Sequence, residues 1–128
     1  MSNRAIISTA DAPAAIGPYS QAVKVGGTVW ISGQIPLVPE TMTLVEGDIS
    51  AQATQVFNNL KAIAEAAGGG LNNAVKVNIS LTDLGDFDKV NAVMTQFFKE
   101  PYPARACVEV ARLPKDVSIE VEAILTLA

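Results

Sequence analysis

Two amphipathic helical patterns, each lying between strand patterns, most constrain the fold of this chain. The first covers residues 48–67, where apolar side chains recur at the three- and four-residue spacing of one helical face, and the second covers residues 86–97. A helix that joins two strands of one sheet makes a crossover, and crossovers need parallel neighbours. The economical solution is an α+β fold, in which a single mixed β-sheet carries both helices packed on one face.

The ends of both helices have recognisable signals. Asp48 is a good N-cap for the first helix, and Gly68 is the natural left-handed residue beyond its C-terminus. Asp86 can cap the second helix, and Pro101 and Pro103 end it. The predicted buried face of the first helix consists of Ile49, Ala53, Val56, Leu60, Ile63, Ala64 and Ala67.

Strand patterns occupy most of the remaining chain. Residues 21–25 and 28–32 flank Gly26-Gly27, which predicts a hairpin with a two-residue turn. Residues 75–81 alternate strictly between apolar and polar side chains, and residues 33–47 are typical of loop with a brief strand at Leu44-Val45. With two further strands near the C-terminus, the predicted order is β-β-α-β-α-β-β.

The two C-terminal runs, residues 103–110 and 117–123, carry the polar groups of interest. If they pair as an antiparallel hairpin across the proline-containing connection, Cys107 falls opposite or nearly opposite Glu120. Arg105 then lies one diagonal further along the same face, about 7 Å away. That face would combine a guanidinium, a thiol and carboxylates, contributed by Arg105, Cys107, Glu109, Glu120 and Glu122.

Two interpretations of this polar face remain open. Solvent-facing sides of sheets ordinarily carry Arg and Glu, so one interpretation is that the face is ordinary hydrated surface. Cysteine is among the most buried residue types, which favours a face covered by a partner subunit. On either interpretation the small apolar residues Ala104, Ala106 and Val108 are expected under the helices.

Composition limits the chemistry and the setting. The 128 residues fit one domain spanning 1–128, and the absence of histidine removes Ser-His and Cys-His nucleophile pairs as well as a histidine-containing metal site. A single cysteine excludes an intrachain disulfide. The net charge of −4 argues against a nucleic-acid partner. The lack of an export signal or a long apolar segment predicts a cytoplasmic protein that does not bind membranes.

Four sequence blocks resemble one known family. They are IGPYSQA at 16–22, ISGQIP at 31–36, PARACVEVARLP at 103–114 and IEVEA at 119–123. All four look like the signatures of the RidA (YjgF-like) family of reactive intermediate imine/enamine deaminases. The resemblance extends from about Ala10 to the C-terminus, and its longest block is the most specific.

The resemblance implies a chorismate-mutase-like fold that forms a homotrimer with clefts between subunits. It also implies hydrolysis of 2-imino acids or their enamine tautomers, such as 2-aminoacrylate and 2-aminocrotonate, to 2-keto acids and ammonia. That activity serves metabolite damage control and uses neither a metal nor a cofactor. By analogy with the family, Arg105 grips the substrate carboxylate and Glu120 holds or activates water. The implied pocket residues are Tyr19, Ser32, Gly33, Asn91 and Cys107.

Elementary chemistry is compatible with these roles. A guanidinium offers two parallel donors to a carboxylate, and a partly desolvated glutamate has a raised pKa that suits proton transfer. With no histidine beside it, Cys107 is interpreted as a pocket-lining thiol and not as a nucleophile. Glu122 is the main rival to Glu120 because the two share a strand face.

Competing functions remain. An arginine-lined cleft is equally expected of a non-catalytic trimer that binds or senses 2-keto or 2-imino acids, and only Glu120 favours catalysis. Some family members are described as ribonucleases or translation inhibitors, which the acidic pI of about 4.6 and the missing histidine disfavour here. A holdase-like chaperone would require exposed apolar surface.

Overall fold

A computed structural model describes residues 4–128 and contains a six-stranded sheet in the order β1-β2-β3-β8-β6-β7. Neighbouring strands are antiparallel except for the parallel pair β6 and β7. A small two-stranded ribbon pairs β4 with β5. The strands are β1 (Arg4–Ile7), β2 (Ala22–Val25), β3 (Thr28–Gln34), β4 (Leu37–Val38), β5 (Thr43–Leu44), β6 (Ala74–Leu81), β7 (Ala104–Glu109) and β8 (Ile119–Thr126), and the helices are α1 (Ile49–Ala66) and α2 (Phe87–Phe97).

The predicted α+β fold, with two helices packed on a mixed sheet, is confirmed. One apolar core joins α1 and α2 to the inward side chains of β3, β6 and β8. Every residue predicted for the buried face of α1 is buried. Because all these side chains lie on the helix side of the sheet, the other side is uncovered in the single chain; we call it the open face.

The helix termini follow the sequence signals with one exception. The Asp48 carboxylate accepts a hydrogen bond from the Ala51 N–H at 3.1 Å, and Gly68 adopts a left-handed φ of +98° beyond α1. Asp86 precedes α2 as predicted but makes no capping hydrogen bond through its side chain. The Asp83 carboxylate instead accepts from the Gly85 N–H at 2.8 Å and stabilises the short 3₁₀ turn that leads into α2.

The predicted C-terminal hairpin is wrong, because β6 lies between β7 and β8. The β6-α2-β7 crossover places β7 parallel to β6 at the sheet edge, as crossovers require. The chain then returns, and β8 inserts between β3 and β6, antiparallel to both. An inner position suits β8, because its inward residues Ile119, Val121, Ala123 and Leu125 are all buried.

Two strand assignments also differ from the sequence prediction. The N-terminal residues 4–7 form an edge strand, β1, which the sequence analysis did not predict. The brief strand predicted at Leu44-Val45 forms at Thr43–Leu44 and has β4 as its partner. The predicted hairpin around Gly26-Gly27 is confirmed, with β2 and β3 antiparallel.

Among residues 4–128, no helix has the length and apolar character needed to cross a membrane.

Replacing the capping aspartate should measurably weaken α1. We expect Asp48→Ala to lower the free energy of unfolding by about 1 kcal/mol, the usual value of an N-cap hydrogen bond. The matched control is Asp86→Ala, which removes a carboxylate that makes no capping bond. Urea denaturation at one protein concentration measures both variants, and equal losses would contradict the assignment of Asp48 as the cap.

Candidate active site

The predicted site residues fall on two faces of the sheet. Arg105 and Cys107 pair with the buried residues Val77 and Ile79 of β6, so they lie on the helix side. Glu120 pairs with Ser80 and alternates with buried neighbours, so it lies on the open face. The structure therefore does not bring Arg105 and Glu120 together within one chain, and the prediction of a shared face is wrong.

The apolar residues of β7 are also reversed relative to prediction. Ala104, Ala106 and Val108 are exposed and pair with Lys76, Asn78 and Ser80 on the open face. They were expected under the helices because they are small and apolar. At a sheet edge, however, a long arginine can lay its stem along the protein and keep its charged end hydrated, so Arg105 tolerates the helix side.

Arg105 is held by residues of α2. Its Nη1 donates a hydrogen bond to the Asn91 Oδ1 and approaches the Met94 sulfur at 3.8 Å. Its guanidinium carbon lies 5.0 Å from the centre of the Phe87 ring, within the range of a cation–π contact. No carboxylate of the described chain lies within 4.0 Å of this guanidinium. The charge is thus positioned by neutral groups and is unpaired.

The space beside this guanidinium is a recess that we call the Arg105 recess. It has one cation and several neutral polar or polarisable groups, and its walls come from α2 and from the segment that enters β7. Such a lining suits a small anion, because the guanidinium can bind a carboxylate through two parallel donors. The lining residues are Asn91, Met94, Thr95, Tyr102, Pro103 and Arg105.

Cys107 follows Arg105 on the same face of β7 and packs partly against the core. Burial raises the pKa of the Cys107 thiol, and the neighbouring Arg105 charge opposes that rise. The thiol is therefore protonated at neutral pH, in agreement with its interpretation as a non-nucleophile. Cys107 lines neither of the two recesses described in this section.

A second recess surrounds Glu120 at the end of the open face, and we call it the Glu120 recess. Three predicted site residues, Tyr19, Ser32 and Gly33, line it together with Glu120 and Glu122. Much of its remaining wall is apolar and is contributed by Pro13, Ala14, Ile16, Ile35, Leu37 and Pro114. The structure thus brings together the carboxylates, a phenol and a strand bulge, and it leaves Asn91 and Cys107 elsewhere.

Gly33 makes room for the Glu120 carboxylate. The pairing of β3 with β8 shifts register between Ile31 and Gln34, so Gly33 sits in an irregular stretch of the strand. A Cβ on Gly33 would lie 2.8 Å from the Glu120 Cδ and 3.2 Å from its Oε1. Those distances are shorter than van der Waals contact, so any larger residue at position 33 would displace the carboxylate. Close approach of this kind is a common reason for glycine in a strand.

Tyr19 and Ser32 have hydrogen-bond partners inside the chain. The Tyr19 hydroxyl accepts from the Ile16 N–H at 3.3 Å, which folds the ring back over its own loop. The Ser32 hydroxyl donates to the Ser20 carbonyl at 2.6 Å. Ser32 therefore uses its hydroxyl proton to hold the loop, and its hydroxyl oxygen can act towards a ligand only as an acceptor.

The surroundings of the Glu120 carboxylate raise its pKa. Burial raises the pKa of Glu120, and the nearby negative charge of Glu122 raises it further. Glu122 is exposed and accepts a hydrogen bond from the Asn78 amide at 3.2 Å. Glu109, the other carboxylate considered in the sequence, accepts from the Leu84 N–H at 3.0 Å and lies away from both recesses.

Sequence reasoning missed the division of the site between two faces. The available signal was the connection into β7. A strand that follows a crossover helix tends to lie beside its parallel partner, here β6, and the predicted hairpin did not take this into account. It also missed the space that Gly33 provides, since a contact between strands is invisible in the sequence of one strand. No group of three or more metal-ligating Cys, Asp or Glu side chains occurs within residues 4–128.

Comparisons with known proteins agree with this fold and identify the family. The family model described as Endoribonuclease L-PSP matches residues 9–127. A protein of Salmonella typhimurium named 2-iminobutanoate/2-iminopropanoate deaminase is 55% identical, with 92% of this chain and 94% of that protein covered. The RidA crystal structure from a Psychrobacter species is 60% identical, with a TM-score of 0.93 over 96% of this chain and 99% of that one.

A third relative was crystallised with a small amino acid. The Escherichia coli protein TdcF with bound serine is 47% identical, with a TM-score of 0.92 over 97% of this chain and 99% of that one. By its structure, this chain is a small α+β protein whose sheet carries two recesses, one lined by Arg105 and one by Glu120. The chain belongs to the RidA family, whose model carries the Endoribonuclease L-PSP description.

The influence of Glu122 on Glu120 is directly measurable. Because the Glu122 charge raises the pKa of Glu120, we expect Glu122→Gln to move the titration midpoint of the Glu120 carboxyl to lower pH. Carbon-13 NMR of glutamate side chains measures this midpoint. Glu109→Gln is the control and should leave it unchanged, and an unmoved midpoint in Glu122→Gln would contradict the coupling.

Proposed function

We propose that this chain hydrolyses reactive 2-imino acids, in equilibrium with enamines such as 2-aminoacrylate and 2-aminocrotonate, to 2-keto acids and ammonia. The observation that carries the proposal is the guanidinium of Arg105, which neutral groups position and which no carboxylate among residues 4–128 pairs with. Such a group is ready to bind the carboxylate that all these substrates share. Relatives named 2-iminobutanoate/2-iminopropanoate deaminase, 49% and 55% identical, support the same reaction class.

We further propose that the site is completed between subunits of a homotrimer. Arg105 and Glu120 lie on opposite faces of one sheet, so a single chain cannot apply both to one small substrate. In a ring of three copies, the Arg105 recess of one subunit can face the Glu120 recess of the next. The open face, which exposes Trp30 and Val108, is suited to such a contact.

Sedimentation equilibrium should give three times the 13.4 kDa chain mass, and a monomer at micromolar concentration would contradict the assembly.

The proposed reaction needs only water and a proton carrier. Arg105 holds the substrate carboxylate, and ionised Glu120 accepts a proton from water as the water oxygen bonds to the electrophilic imine carbon. The protonated Glu120 then supplies a proton to the nitrogen of the resulting carbinolamine. Glu120 then accepts the hydroxyl proton of the carbinolamine as the C=O bond forms and passes it to the departing nitrogen, so ammonia leaves, water is consumed and Glu120 returns to its starting state.

The raised pKa of Glu120 suits both halves of this cycle. A carboxylate with an ordinary glutamate pKa is a weak base for water and a poor proton reservoir near pH 7. Burial and Glu122 raise the pKa of Glu120 and bring its two protonation states closer in free energy at neutral pH. Because only the ionised form accepts the proton, turnover is expected to fall as the pH falls through this raised pKa.

Two other functions are supported less well. A non-catalytic protein that binds 2-keto or 2-imino acids would use Arg105 in the same way, but it would gain nothing from a Glu120 of raised pKa. Ribonuclease activity is suggested by the description of the family model. The two recesses together contain one cation and two carboxylates. This excess of carboxylates disfavours binding of a negatively charged phosphate backbone.

Removing the guanidinium should abolish substrate capture. We expect Arg105→Ala to reduce kcat/KM by roughly 10²- to 10³-fold, as the loss of a charge-assisted bidentate contact implies. Arg105→Lys should recover only part of the loss, because an ammonium lacks the planar fork. A coupled assay, in which a dehydratase generates 2-aminoacrylate and pyruvate release is followed, measures the effect. Full activity of Arg105→Ala at low substrate concentration would contradict the carboxylate-binding role.

Replacing the carboxylate should separate catalysis from binding. Glu120→Gln keeps the size of the side chain but cannot accept a proton, so turnover should fall by roughly 10²- to 10⁴-fold. Binding of a stable keto acid such as 2-ketobutyrate, measured by calorimetry, should barely change because Arg105 provides most of it. Glu109→Gln is the matched control, because the Glu109 carboxylate lines neither recess. Equal losses of binding and turnover in Glu120→Gln would make Glu120 a structural partner and favour the non-catalytic function.

A further inference from the structure

The buried polar side chains among residues 4–128 all form hydrogen bonds to segments around the Glu120 recess. Within residues 4–128, three polar side chains are buried, namely Gln21, Gln34 and Asn59, with exposed fractions of 4%, 5% and 1%. All three are amides, and all three donate to backbone carbonyls of segments around the Glu120 recess. Burying an amide is costly unless its bonds are satisfied, so this concentration around one recess calls for a physical explanation.

Gln21 fixes the loop that precedes β2. Its Oε1 accepts from the Thr9 N–H at 2.7 Å, and its Nε2 donates to the carbonyls of Thr9 and Pro13 at 3.0 and 2.8 Å. A longer contact of 3.3 Å joins the same nitrogen to the Ala12 carbonyl. The loop has no regular structure between β1 and β2, and it contributes Pro13 and Tyr19 to the recess.

Asn59 fixes the opposite wall from α1. Its Nδ2 donates to the carbonyls of Ile35 and Leu37 at 3.3 and 3.0 Å, and its Oδ1 accepts from the Gln55 amide at 2.9 Å. Ile35 and Leu37 are buried and line the recess. The β4-β5 ribbon that continues this wall is only two residues long on each strand, so the ladder alone fixes it weakly.

Gln34 acts on the bulge itself. Its amide donates to the Ser32 carbonyl at 3.1 Å, at the point where β3 and β8 lose register. The Ser32 N–H donates in turn to the Gln21 carbonyl at 2.9 Å. The bulge and the loop of Gln21 are therefore joined through Ser32, immediately beside the Gly33 that makes room for Glu120.

We propose that Gln21 and Asn59 are positioning residues that hold the two irregular, largely apolar walls of the Glu120 recess in place. Neither side chain lines the recess, so both act through the backbone that they bind. The proposal rests on the proposed function only for its effect on catalysis. Its physical core is the rigidity of the recess walls.

Fixed walls have a chemical consequence for Glu120. Burial is the larger cause of its raised pKa, and the recess around it is lined in part by the segments that the two amides bind. The other titratable groups facing the recess are Glu122 on the same strand and Tyr19 on the loop. β3, β4 and the Pro114 turn contribute no charged side chain to its lining. Loosening a wall should admit water and lower the pKa of Glu120 towards that of an ordinary glutamate.

Hydrogen exchange in the wild-type protein gives the first test. The Thr9 N–H belongs to no helix and bonds to the Gln21 side chain, so its exchange reports how firmly Gln21 holds the loop. We expect it to exchange at least about tenfold more slowly than an unstructured amide. Unprotected exchange at Thr9 would overturn the proposal, and this measurement needs no variant to fold.

Variants give the second test. Gln21→Met and Asn59→Leu keep much of the side-chain volume and remove the hydrogen bonds. The control is Leu71→Ala, which opens the core near a different cavity and so tests for the effect of a general loss of stability. We expect the carbon-13 titration midpoint of Glu120 to fall by about half a pH unit or more in the first two variants, against no change in the control. The acid limb of the pH-rate profile should move by the same amount. Midpoints that stay at the wild-type value in both folded variants, or that shift equally in Leu71→Ala, would overturn the proposal.

This outcome is independent of the proposed activity. If the wild-type protein shows no imine hydrolysis, the proposed function fails, but the Glu120 midpoints and the Thr9 exchange rate still decide whether the amides preorganise the recess. If one variant does not fold, the other variant and the wild-type exchange measurement still decide it. Conversely, an active enzyme whose variants keep the wild-type Glu120 midpoint retains its function and loses this inference.

Discussion

The insertion of β8 between β3 and β6 is the constraint on which the rest of the structure depends. Its inward residues, from Ile119 to Leu125, complete the core beneath α1, and the pleat then forces Glu120 and Glu122 onto the open face. A slip of one residue would expose the apolar set and bury both carboxylates, so the register is strongly specified. Hydrophobic burial along one strand thereby fixes where the acid of the candidate site lies.

The same insertion separates the two charged groups of the site. With β6 between β7 and β8, Arg105 is left at the sheet edge beside α2, where Asn91 and Phe87 hold its guanidinium. Glu120 occupies a recess of a different character, whose largely apolar walls belong to segments that buried amides hold. In the proposed homotrimer, the Arg105 recess of one subunit would meet the Glu120 recess of the next, so substrate binding and proton transfer would be tuned by separate parts of the chain.

Much of the fold could be predicted from local sequence patterns, whereas the partition of the site could not. The apolar stripe of α1 and its signals at Asp48 and Gly68 are local, and all are confirmed. Alternation around Arg105 and Glu120 correctly predicts which residues share a strand face. It does not specify which strand lies next to which, or which face the helices cover. Those depend on the core as a whole, and the contact of Gly33 with Glu120 depends on them in turn.

Subunit complementation tests the central claim most directly. Arg105→Ala and Glu120→Gln subunits should each form inactive trimers, but when they are unfolded together and reassembled in equal amounts, some interfaces will combine an intact Arg105 with an intact Glu120. Random assembly predicts recovery of about a quarter of the wild-type activity, because each such interface requires two independent choices of subunit. The account predicts this recovery. Mixed trimers that remain as inactive as their parents would contradict a site shared between subunits.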